Sequence, residues 1–229
     1  MGGSGSFLVR ADDGHRYWCK TLNNLQHERV PVNEQIVARL GVLIGTPVCE
    51  PRLVYMPPEL AGWEFRSGRQ IEVGWAHGSF AAELAIETRD LGSRATDDNA
   101  RRHAGIVALY DLAGGSDAQW LMVGTDAAFF SHDHGHYFPG GPGWTTASLQ
   151  IGQRAHHQLP FSSTGLDASE LNRLADRLEA VTEEEVAECA SNIPAEWPVQ
   201  NGELEALVDF LYARRGAVAQ RLRALIGTV

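Results

Sequence analysis

The sequence predicts an α+β fold with a small mixed N-terminal part and a mainly helical C-terminal part. Short strand patterns, separated by a strong turn signal, occur early in the chain. Leucines at helical spacing dominate its end, at Leu171, Leu174 and Leu178 and again at Leu204, Leu207 and Leu211. A chain of 229 residues suits one compact unit of two lobes. We therefore predict an N-terminal lobe at residues 1–80 and a helical C-terminal lobe at residues 81–229.

The N-terminal lobe begins with a predicted hairpin. Phe7–Arg10 and Arg16–Lys20 have strand composition, and the Asp13-Gly14 pair between them is a hairpin turn signal. Asn33 is a candidate N-cap for a helix over residues 34–41. The other predicted elements are extended segments at 49–55 and 70–73, a helix at 99–112, strands at 120–123 and 128–131, and helices from Ser169 onward.

Composition excludes several classes of protein. The net charge of −10 argues against a domain that binds nucleic acid by itself, because such domains usually present a basic surface. No apolar run approaches the roughly 18 residues of a membrane span, and the first residues do not form a leader, so a cytoplasmic location is expected. The three cysteines are scattered, which favours plain thiols over disulfides or a zinc site.

The N-terminal run Gly2-Gly3-Ser4-Gly5-Ser6 directly precedes the first strand. Glycines let the backbone approach a phosphate closely, and their amide groups can donate to its oxygens. The run therefore indicates a phosphate-binding loop. A flexible or cloning-derived terminus would have the same composition, and the run alone does not distinguish the two.

Lys20 ends the second strand, and Glu34 follows fourteen positions later on the predicted helix. In sites for phosphoryl transfer, a strand lysine binds nucleotide phosphates and a helix glutamate orients that lysine. Glu28 is a rival partner, although Glu34 lies inside the better helical pattern. The alternative for Lys20 is an ordinary solvated lysine.

Two aspartates are candidates for the chemistry. Asp117 lies in the turn Gly114-Gly115-Ser116-Asp117, where a carboxylate can accept a proton from an incoming hydroxyl, although turn aspartates are common. Asp133 lies sixteen positions later, at the end of an apolar strand and just before a glycine, which suits a magnesium ligand. The order strand, turn, strand, aspartate lets both carboxylates face one cleft.

The stretch around Asp133 also supports a different interpretation. His132, His134 and His136 alternate, so an extended strand would place three imidazoles on one face, where they could bind zinc, with His156-His157 as a further source of ligands. We favour the interpretation without zinc, because Gly135 disturbs regular strand geometry. The histidines would then be polar loop residues.

The order of these segments resembles the HipA-like kinases, a group related to the phosphatidylinositol-kinase-like branch of the kinase fold. The resemblance covers most of the chain. Its segments are GGSGSFLV, DGHRYWCK, NEQIVARLGVLIGTPV, WAHGSF, ALYDLAGGSDAQWLMV, FFSHDHGHYF and IPAEW. The stretches NEQIVARLGVLIGTPV and SHDHGHYF are the most specific of these segments, and the order and spacing of all of them carry the resemblance. The resemblance implies a two-lobed protein-kinase-like fold and ATP- and Mg²⁺-dependent phosphoryl transfer to a protein or small-molecule hydroxyl.

The resemblance also implies roles for individual residues. Lys20 would hold the ATP phosphates, Glu34 would pair with Lys20, Asp117 would be the catalytic base and Asp133 would bind Mg²⁺. Gly3, Ser4, Gly5 and Ser6 would lie over the phosphates. The segment 75–80 would run close to the linker that receives the adenine.

Two positions depart from the family pattern. Similar kinases carry an asparagine five residues after the catalytic aspartate as a second metal ligand, and Met122 stands there, while Ala118 replaces the usual arginine after the aspartate. Methionine is a poor magnesium ligand, so turnover would depend on Asp133 alone or on an oxygen from Gln119, Asp126 or water. The alternatives are a catalytically weak pseudokinase that binds a nucleotide or partner, and a histidine-ligated metal enzyme.

Overall fold

The structure is a computed structural model that describes residues 5–66, 68–124, 127–155, 159 and 162–226. The described residues up to Phe80 contain six strands and one α-helix. They are β1 (Phe7–Arg10), β2 (Arg16–Lys20), α1 (Val30–Ile44), β3 (Pro51–Met56), β4 (Glu64–Arg66), β5 (Arg69–Gln70) and β6 (Gly74–Phe80). β1, β2, β6 and β3 form an antiparallel sheet in that order, and β4 and β5 form a separate hairpin.

The described residues after Phe80 are mainly helical, as the sequence predicts. It contains β7 (Ala85–Thr88), α2 (Asn99–Ala113), β8 (Trp120–Val123), β9 (Ala128–Ser131), α3 (Thr146–Gly152), α4 (Ala168–Ala180), α5 (Glu183–Ser191) and α6 (Asn201–Ile226). β7, β8 and β9 form a small antiparallel sheet. Among the described residues, no helix is long and apolar enough to cross a membrane.

Two hydrophobic clusters stabilise the chain. The smaller one lies on one face of the four-stranded sheet and contains Phe7, Tyr17, Cys19, Met56, Ile71 and Ala76. The larger one contains the apolar faces of α2, α4, α5 and α6. Helix α1 contributes Val32, Ile36 and Leu40 to the larger cluster, so it packs with the C-terminal helices while it also contacts the sheet. The division at residue 80 stays a prediction.

Helix α1 begins four residues earlier than the sequence pattern predicts. It starts at Val30 with Arg29 as its N-cap residue, and Pro31 in its first turn lacks only an amide hydrogen that would have no helical partner there. The prediction of Asn33 as N-cap is therefore wrong. The helix ends at Gly45, whose left-handed backbone (φ 73°) caps it.

The extended segments were predicted less well than the helices. The predicted strand at 70–73 is mostly absent, since β5 comprises only Arg69–Gln70. The segment 75–80 instead forms β6, which lies between β2 and β3 in the four-stranded sheet. The sequence pattern of β6 is hard to recognise because Gly74 and Gly78 interrupt it. Gly78 has a packing reason, because a β-carbon there would lie 2.7 Å from Val54 Cγ2.

Candidate active site

Three charged residues from distant parts of the chain meet at the end of β2. Lys20 Nζ donates hydrogen bonds to Glu34 Oε1 on α1 and to Asp133 Oδ1, the latter at 2.6 Å. All three side chains are at most 10 % exposed. We call Lys20, Glu34 and Asp133 the ionic cluster. The structure thus pairs Lys20 with Glu34, whereas the rival Glu28 is exposed.

The charges of the ionic cluster stabilise one another. Burial opposes the charge on Lys20, but the neighbouring Glu34 and Asp133 carboxylates outweigh it and raise the pKa of Lys20 above its ordinary value. Burial likewise opposes ionisation of Asp133, and the Lys20 ammonium outweighs it, so the pKa of Asp133 falls below its ordinary value. Lys20 is therefore held as a cation and Asp133 as an anion.

Glu34 has a second set of partners beyond Lys20. Its Oε2 accepts the backbone amide of His134 at 3.0 Å, and its Oε1 accepts that of Gly135 at 3.1 Å. This approach requires Gly135, because a β-carbon there would lie 2.7 Å from Val30 Cγ1. One carboxylate therefore fixes both the lysine and the backbone that follows Asp133.

We call residues 132–137 the Asp133 segment. Asp133 has a left-handed backbone (φ 56°, ψ 55°), a conformation that aspartate tolerates better than most residues, and residues 134–136 form a 3₁₀ turn. Asn33 holds this segment from α1, because its Nδ2 donates to the carbonyls of Gly135 (2.9 Å) and Tyr137 (3.0 Å). Trp144 Nε1 donates to Asn33 Oδ1 at 2.9 Å, so the buried amide is fully engaged.

The next residue of α1 reaches the sheet. Gln35 Oε1 lies 2.8 Å from Nδ1 of His77 on β6, which is buried and pairs in register with Lys20. Burial lowers the pKa of His77 to about 3, so its ring is neutral. Asn33 and Gln35 were not predicted as site residues. A sequence signal existed in the three consecutive polar residues Asn33-Glu34-Gln35, which interrupt a mainly apolar helix. The structure buries all three.

Residues 114–119, which we call the Asp117 loop, lie beside the Asp133 segment. Ser116 Oγ donates to the His136 carbonyl at 2.7 Å, which joins the two stretches. Asp117 lies outside the ionic cluster, partly exposed, and its Oδ2 accepts a hydrogen bond from Gln119 Nε2 at 2.8 Å. The structure therefore brings Asp117 to the neighbourhood of the cluster without a direct ion pair to Lys20.

Met122 does not lie in the Asp117 loop. It is part of β8, where it pairs with Ile86 on one side and Phe129 on the other, and it packs against the larger hydrophobic cluster. Gln119, two residues after Asp117 and just before β8, carries the side-chain amide that donates to the Asp117 carboxylate. The loss of a metal ligand at Met122 stays a prediction.

The phosphate-binding run is described only in part, since Gly3 and Ser4 lie outside the described residues. Gly5 is buried with a left-handed backbone (φ 66°), and Ser6 follows it. Because Phe7 pairs with Cys19 in an antiparallel register, Gly5 and Ser6 lie beside the end of β2 that carries Lys20.

The histidines do not share the face of a strand. β9 ends at Ser131, and the left-handed Asp133 and the 3₁₀ turn break the alternation on which the zinc interpretation depends. His134 is buried, with Nε2 2.9 Å from Ser131 Oγ, and burial lowers its pKa to about 4. Within the described residues no group of three histidine, cysteine or acidic side chains is arranged to hold a metal, and His156-His157 lie outside them.

The residues of the site suit a nucleotide and Mg²⁺. Two carboxylates share one ammonium in the ionic cluster, so a second cation would be accommodated there. Asp133 offers the hard oxygen that Mg²⁺ prefers, and the buried Lys20 ammonium, next to Gly5 and Ser6, suits a phosphate group.

Comparisons with known proteins define the class of fold. The chain is similar to the Helicobacter pylori proinflammatory kinase CtkA, with a TM-score of 0.66 at 10 % identity over 100 % of this chain and 93 % of the other. At this identity the likeness shows the fold alone, and the predicted kinase-like α+β fold is confirmed.

The sequence comparison matches part of the chain to a family model. Residues 1–111 match the family model described as HipA-like kinase, so the predicted resemblance is confirmed over that part of the chain. The matched part contains Lys20 and Glu34 and ends before Asp117 and Asp133. No curated protein matches the sequence significantly. The family match supports a kinase function.

Proposed function

We propose that the protein is an ATP- and Mg²⁺-dependent phosphotransferase that acts on a hydroxyl of a protein or a small molecule. The observation that carries this proposal is the ionic cluster. A buried lysine at a strand end, held between a helix glutamate and an aspartate, is the arrangement that positions nucleotide phosphates in kinases. The resemblance of residues 1–111 to HipA-like kinases supports it independently.

The proposed roles follow from the contacts. Lys20, with the amides of Gly5 and Ser6, binds the phosphates, and Glu34 keeps Lys20 in place. Asp133 is the proposed ligand of Mg²⁺, with the Gln119 side-chain oxygen as a second candidate. When bound, Mg²⁺ supplies charge neutralisation of the phosphoryl oxygens.

The proposed chemistry is a single displacement. The acceptor hydroxyl oxygen forms a bond to the γ-phosphorus, the bond from that phosphorus to the β–γ bridging oxygen breaks, and ADP leaves with that oxygen. Asp117 accepts the proton of the acceptor hydroxyl. Because little covalent chemistry is asked of the protein, its contribution is positioning and charge stabilisation.

A transfer assay with γ-labelled ATP tests this proposal. We expect Mg²⁺-dependent label transfer, either to the protein itself or to water, and a fall on the order of a hundredfold in Asp117→Asn, as for loss of a general base. Asp12→Asn, on the exposed hairpin turn, is the matched control and should keep wild-type activity. Equal turnover in Asp117→Asn and wild type would show that the base is another residue.

One observation favours a second candidate, a nucleotide-binding protein without turnover. The Asp117 carboxylate is held by Gln119, and Met122 stands where an asparagine would be the expected metal ligand. If wild type and Met122→Asn are both inactive while ATP still binds, this pseudokinase function is the better description. If Met122→Asn raises turnover more than ATP affinity, the missing ligand limits an active kinase.

A further inference from the structure

Arg29, the N-cap residue of α1, connects this helix to three residues far along the chain. Its Nε donates to the Pro198 carbonyl at 2.9 Å, and its Nη1 donates to the Trp144 carbonyl at 3.2 Å. Its Nη2 donates to both carboxylate oxygens of Glu203 in the first turn of α6, at 2.8 and 3.0 Å. The Arg29 side chain is 17 % exposed. One guanidinium therefore ties the start of α1 to the C-terminal part of the chain.

The same guanidinium lies over the ring of Trp144, with Arg29 Cζ 5.1 Å from the ring centroid. Trp144 is buried, and a planar cation on an aromatic face is fixed in orientation as well as in position. The Trp144 indole in turn donates to Asn33, which holds the Asp133 segment. Trp144 therefore links Arg29 to the anchor of that segment.

We call residues 194–199 the Trp197 turn, and it contacts the sheet as well as α1. It includes the end of the IPAEW stretch, to which the proposed function assigns no role. Trp197 is buried, and its Nε1 donates to the Trp75 carbonyl of β6 at 3.3 Å. Trp75 lies two residues before His77, the register partner of Lys20. The Trp197 turn therefore contacts both the strand next to Lys20 and the start of α1.

We propose that Arg29 is a positioning residue, which holds the start of α1 so that Glu34 stays against Lys20. The inference rests on the proposed function, in which Lys20 binds the nucleotide phosphates. Glu34 lies five residues after Arg29, about 7.5 Å along the helix axis, so a shift at the start of α1 moves this carboxylate as well. Hydrogen bonds weaken steeply with distance and angle, so a displaced Glu34 no longer fixes the Lys20 ammonium.

The sequence provides a direct reporter of this position, because Lys20 is the only lysine among its 229 residues. Protein grown with isotope-labelled lysine therefore gives the NMR signal of this one side chain. The signal reports the surroundings of the Lys20 ammonium and depends neither on ATP binding nor on turnover. A loss of stability that leaves the site intact does not shift it.

The chain supplies a matched control at the other end of α1. Arg177 of α4 donates to the Leu43 carbonyl at 3.1 Å through its Nε and to Glu185 at 2.9 Å through its Nη2. Like Arg29, it combines a backbone carbonyl of distant sequence with an ion pair, but it holds α1 nine residues beyond Glu34. Arg177→Gln therefore removes similar contacts, with a similar shift of the urea midpoint, and leaves the start of the helix in place.

NMR of the labelled lysine and calorimetric titration with ATP and Mg²⁺ test the inference on the same variants. We expect Arg29→Gln to shift the Lys20 signal and to weaken ATP binding roughly tenfold, by analogy with residues that orient metal ligands. Glu203→Gln should shift the signal in the same direction by less, since the contacts of Arg29 with Pro198 and Trp144 remain. Arg177→Gln should keep the wild-type signal and an ATP affinity within about twofold of wild type.

The contrary outcomes are distinct. An unchanged Lys20 signal in Arg29→Gln overturns the proposal, and an equal shift in Arg177→Gln also overturns it by showing a general effect of destabilisation. If Arg29→Gln does not fold, the same comparison between Glu203→Gln and Arg177→Gln decides. If folded wild type does not bind ATP, the proposed function fails, and the Lys20 signals of the variants still decide whether Arg29 positions this residue.

Discussion

The Asp133 segment and the Asp117 loop carry the two candidate acidic groups, and they are held in very different ways. The Asp133 segment is anchored from α1 by four hydrogen bonds, two from its amides to Glu34 and two from Asn33 to its carbonyls. The Asp117 loop has one described bond to that segment, from Ser116, and an internal one from Gln119. Asp133 is almost buried, whereas Asp117 is partly exposed.

The contrast indicates that the two regions have different roles, one in binding the nucleotide and one in turnover. Lys20, Glu34 and Asp133 are already paired within the protein, so the groups proposed to hold phosphate and Mg²⁺ need little rearrangement before a ligand binds. The Asp117 loop is tied to α2 by the amides of Gly114 and Gly115 at its start, but the described hydrogen bond of the Asp117 side chain is to Gln119 in the same loop. We therefore expect binding of the nucleotide to be more robust than turnover, and changes to the Asp133 segment to cost more stability than changes to the Asp117 loop.

The largest expected effect is that of Glu34→Ala. It leaves the amides of His134 and Gly135 without their acceptor and removes one of the two partners of buried Lys20. We expect the free energy of unfolding to fall by about 3–5 kcal/mol, as when one partner of a buried ion pair is removed. Urea denaturation measures it, and Glu34→Gln should be intermediate.

Glu28→Ala is the matched control for Glu34→Ala. Glu28 is exposed just before α1, and its removal should change the free energy of unfolding by no more than about 0.5 kcal/mol. Equal losses in the two variants would contradict the anchoring role of Glu34.

Asp133→Asn and Asp117→Asn compare the two regions directly. We expect Asp133→Asn to lower the free energy of unfolding by about 1.5–3 kcal/mol, because it removes a buried charged partner of Lys20. Asp117→Asn should change it by no more than about 0.5 kcal/mol. The same denaturation measurement serves both variants. A larger loss of stability in Asp117→Asn than in Asp133→Asn would contradict the inference that the Asp133 segment is the more firmly held of the two regions.

The pH dependence of stability should also report on the Asp133 segment, which contains a buried histidine. Burial lowers the pKa of His134 to about 4, below the ordinary value of 6.5, so the fold favours the neutral ring. This stability is present above pH 6.5 and is lost as the pH falls toward 4, with a loss of about 2 kcal/mol between pH 7 and pH 5. His134→Gln should flatten that slope in denaturation experiments at the two pH values.

His15→Gln, on the exposed hairpin, is the control for the pH experiment. It should leave the slope of stability against pH unchanged. A His134→Gln protein with the wild-type slope would show that His134 is not held neutral by the fold.

Ser116→Ala should have a smaller effect on stability than the changes in the Asp133 segment. It removes the hydrogen bond from the Asp117 loop to the His136 carbonyl and should cost about 0.5–1.5 kcal/mol of stability. Because the loop then loses its described link to the Asp133 segment, turnover should fall while ATP affinity is kept. Steady-state kinetics and calorimetry on the same preparation separate the two. A loss of ATP affinity equal to the loss of turnover would argue against a role confined to the loop.

The sequence predicted the strands and helices with strong local signals. The hairpin of β1 and β2 and the strands β8 and β9 agree with the predicted residues, because turn residues and apolar alternation mark them. β6 was not recognised as a strand, since Gly74 and Gly78 interrupt its pattern. Its position is decided by packing between β2 and β3, which no local pattern reports.

The candidate site was predicted in part. The order of Lys20, Glu34 and Asp133 along the chain allowed their convergence to be expected, because kinase-type sites need those residue types in that order. The sequence pattern predicts a helix cap at Asn33, because asparagine before a helical pattern is usually a cap. Only the fold shows that it binds Gly135 and Tyr137, about a hundred residues away.

Calorimetric titration of ATP, with and without Mg²⁺, into wild type and Asp133→Asn tests the central claim most directly. The account predicts that wild type binds ATP and binds it more tightly with Mg²⁺. Asp133→Asn should keep the affinity measured without Mg²⁺, since Lys20 and Glu34 remain paired, and should lose the gain from Mg²⁺. Absence of ATP binding by the folded wild type, or a full Mg²⁺ gain in Asp133→Asn, would contradict it.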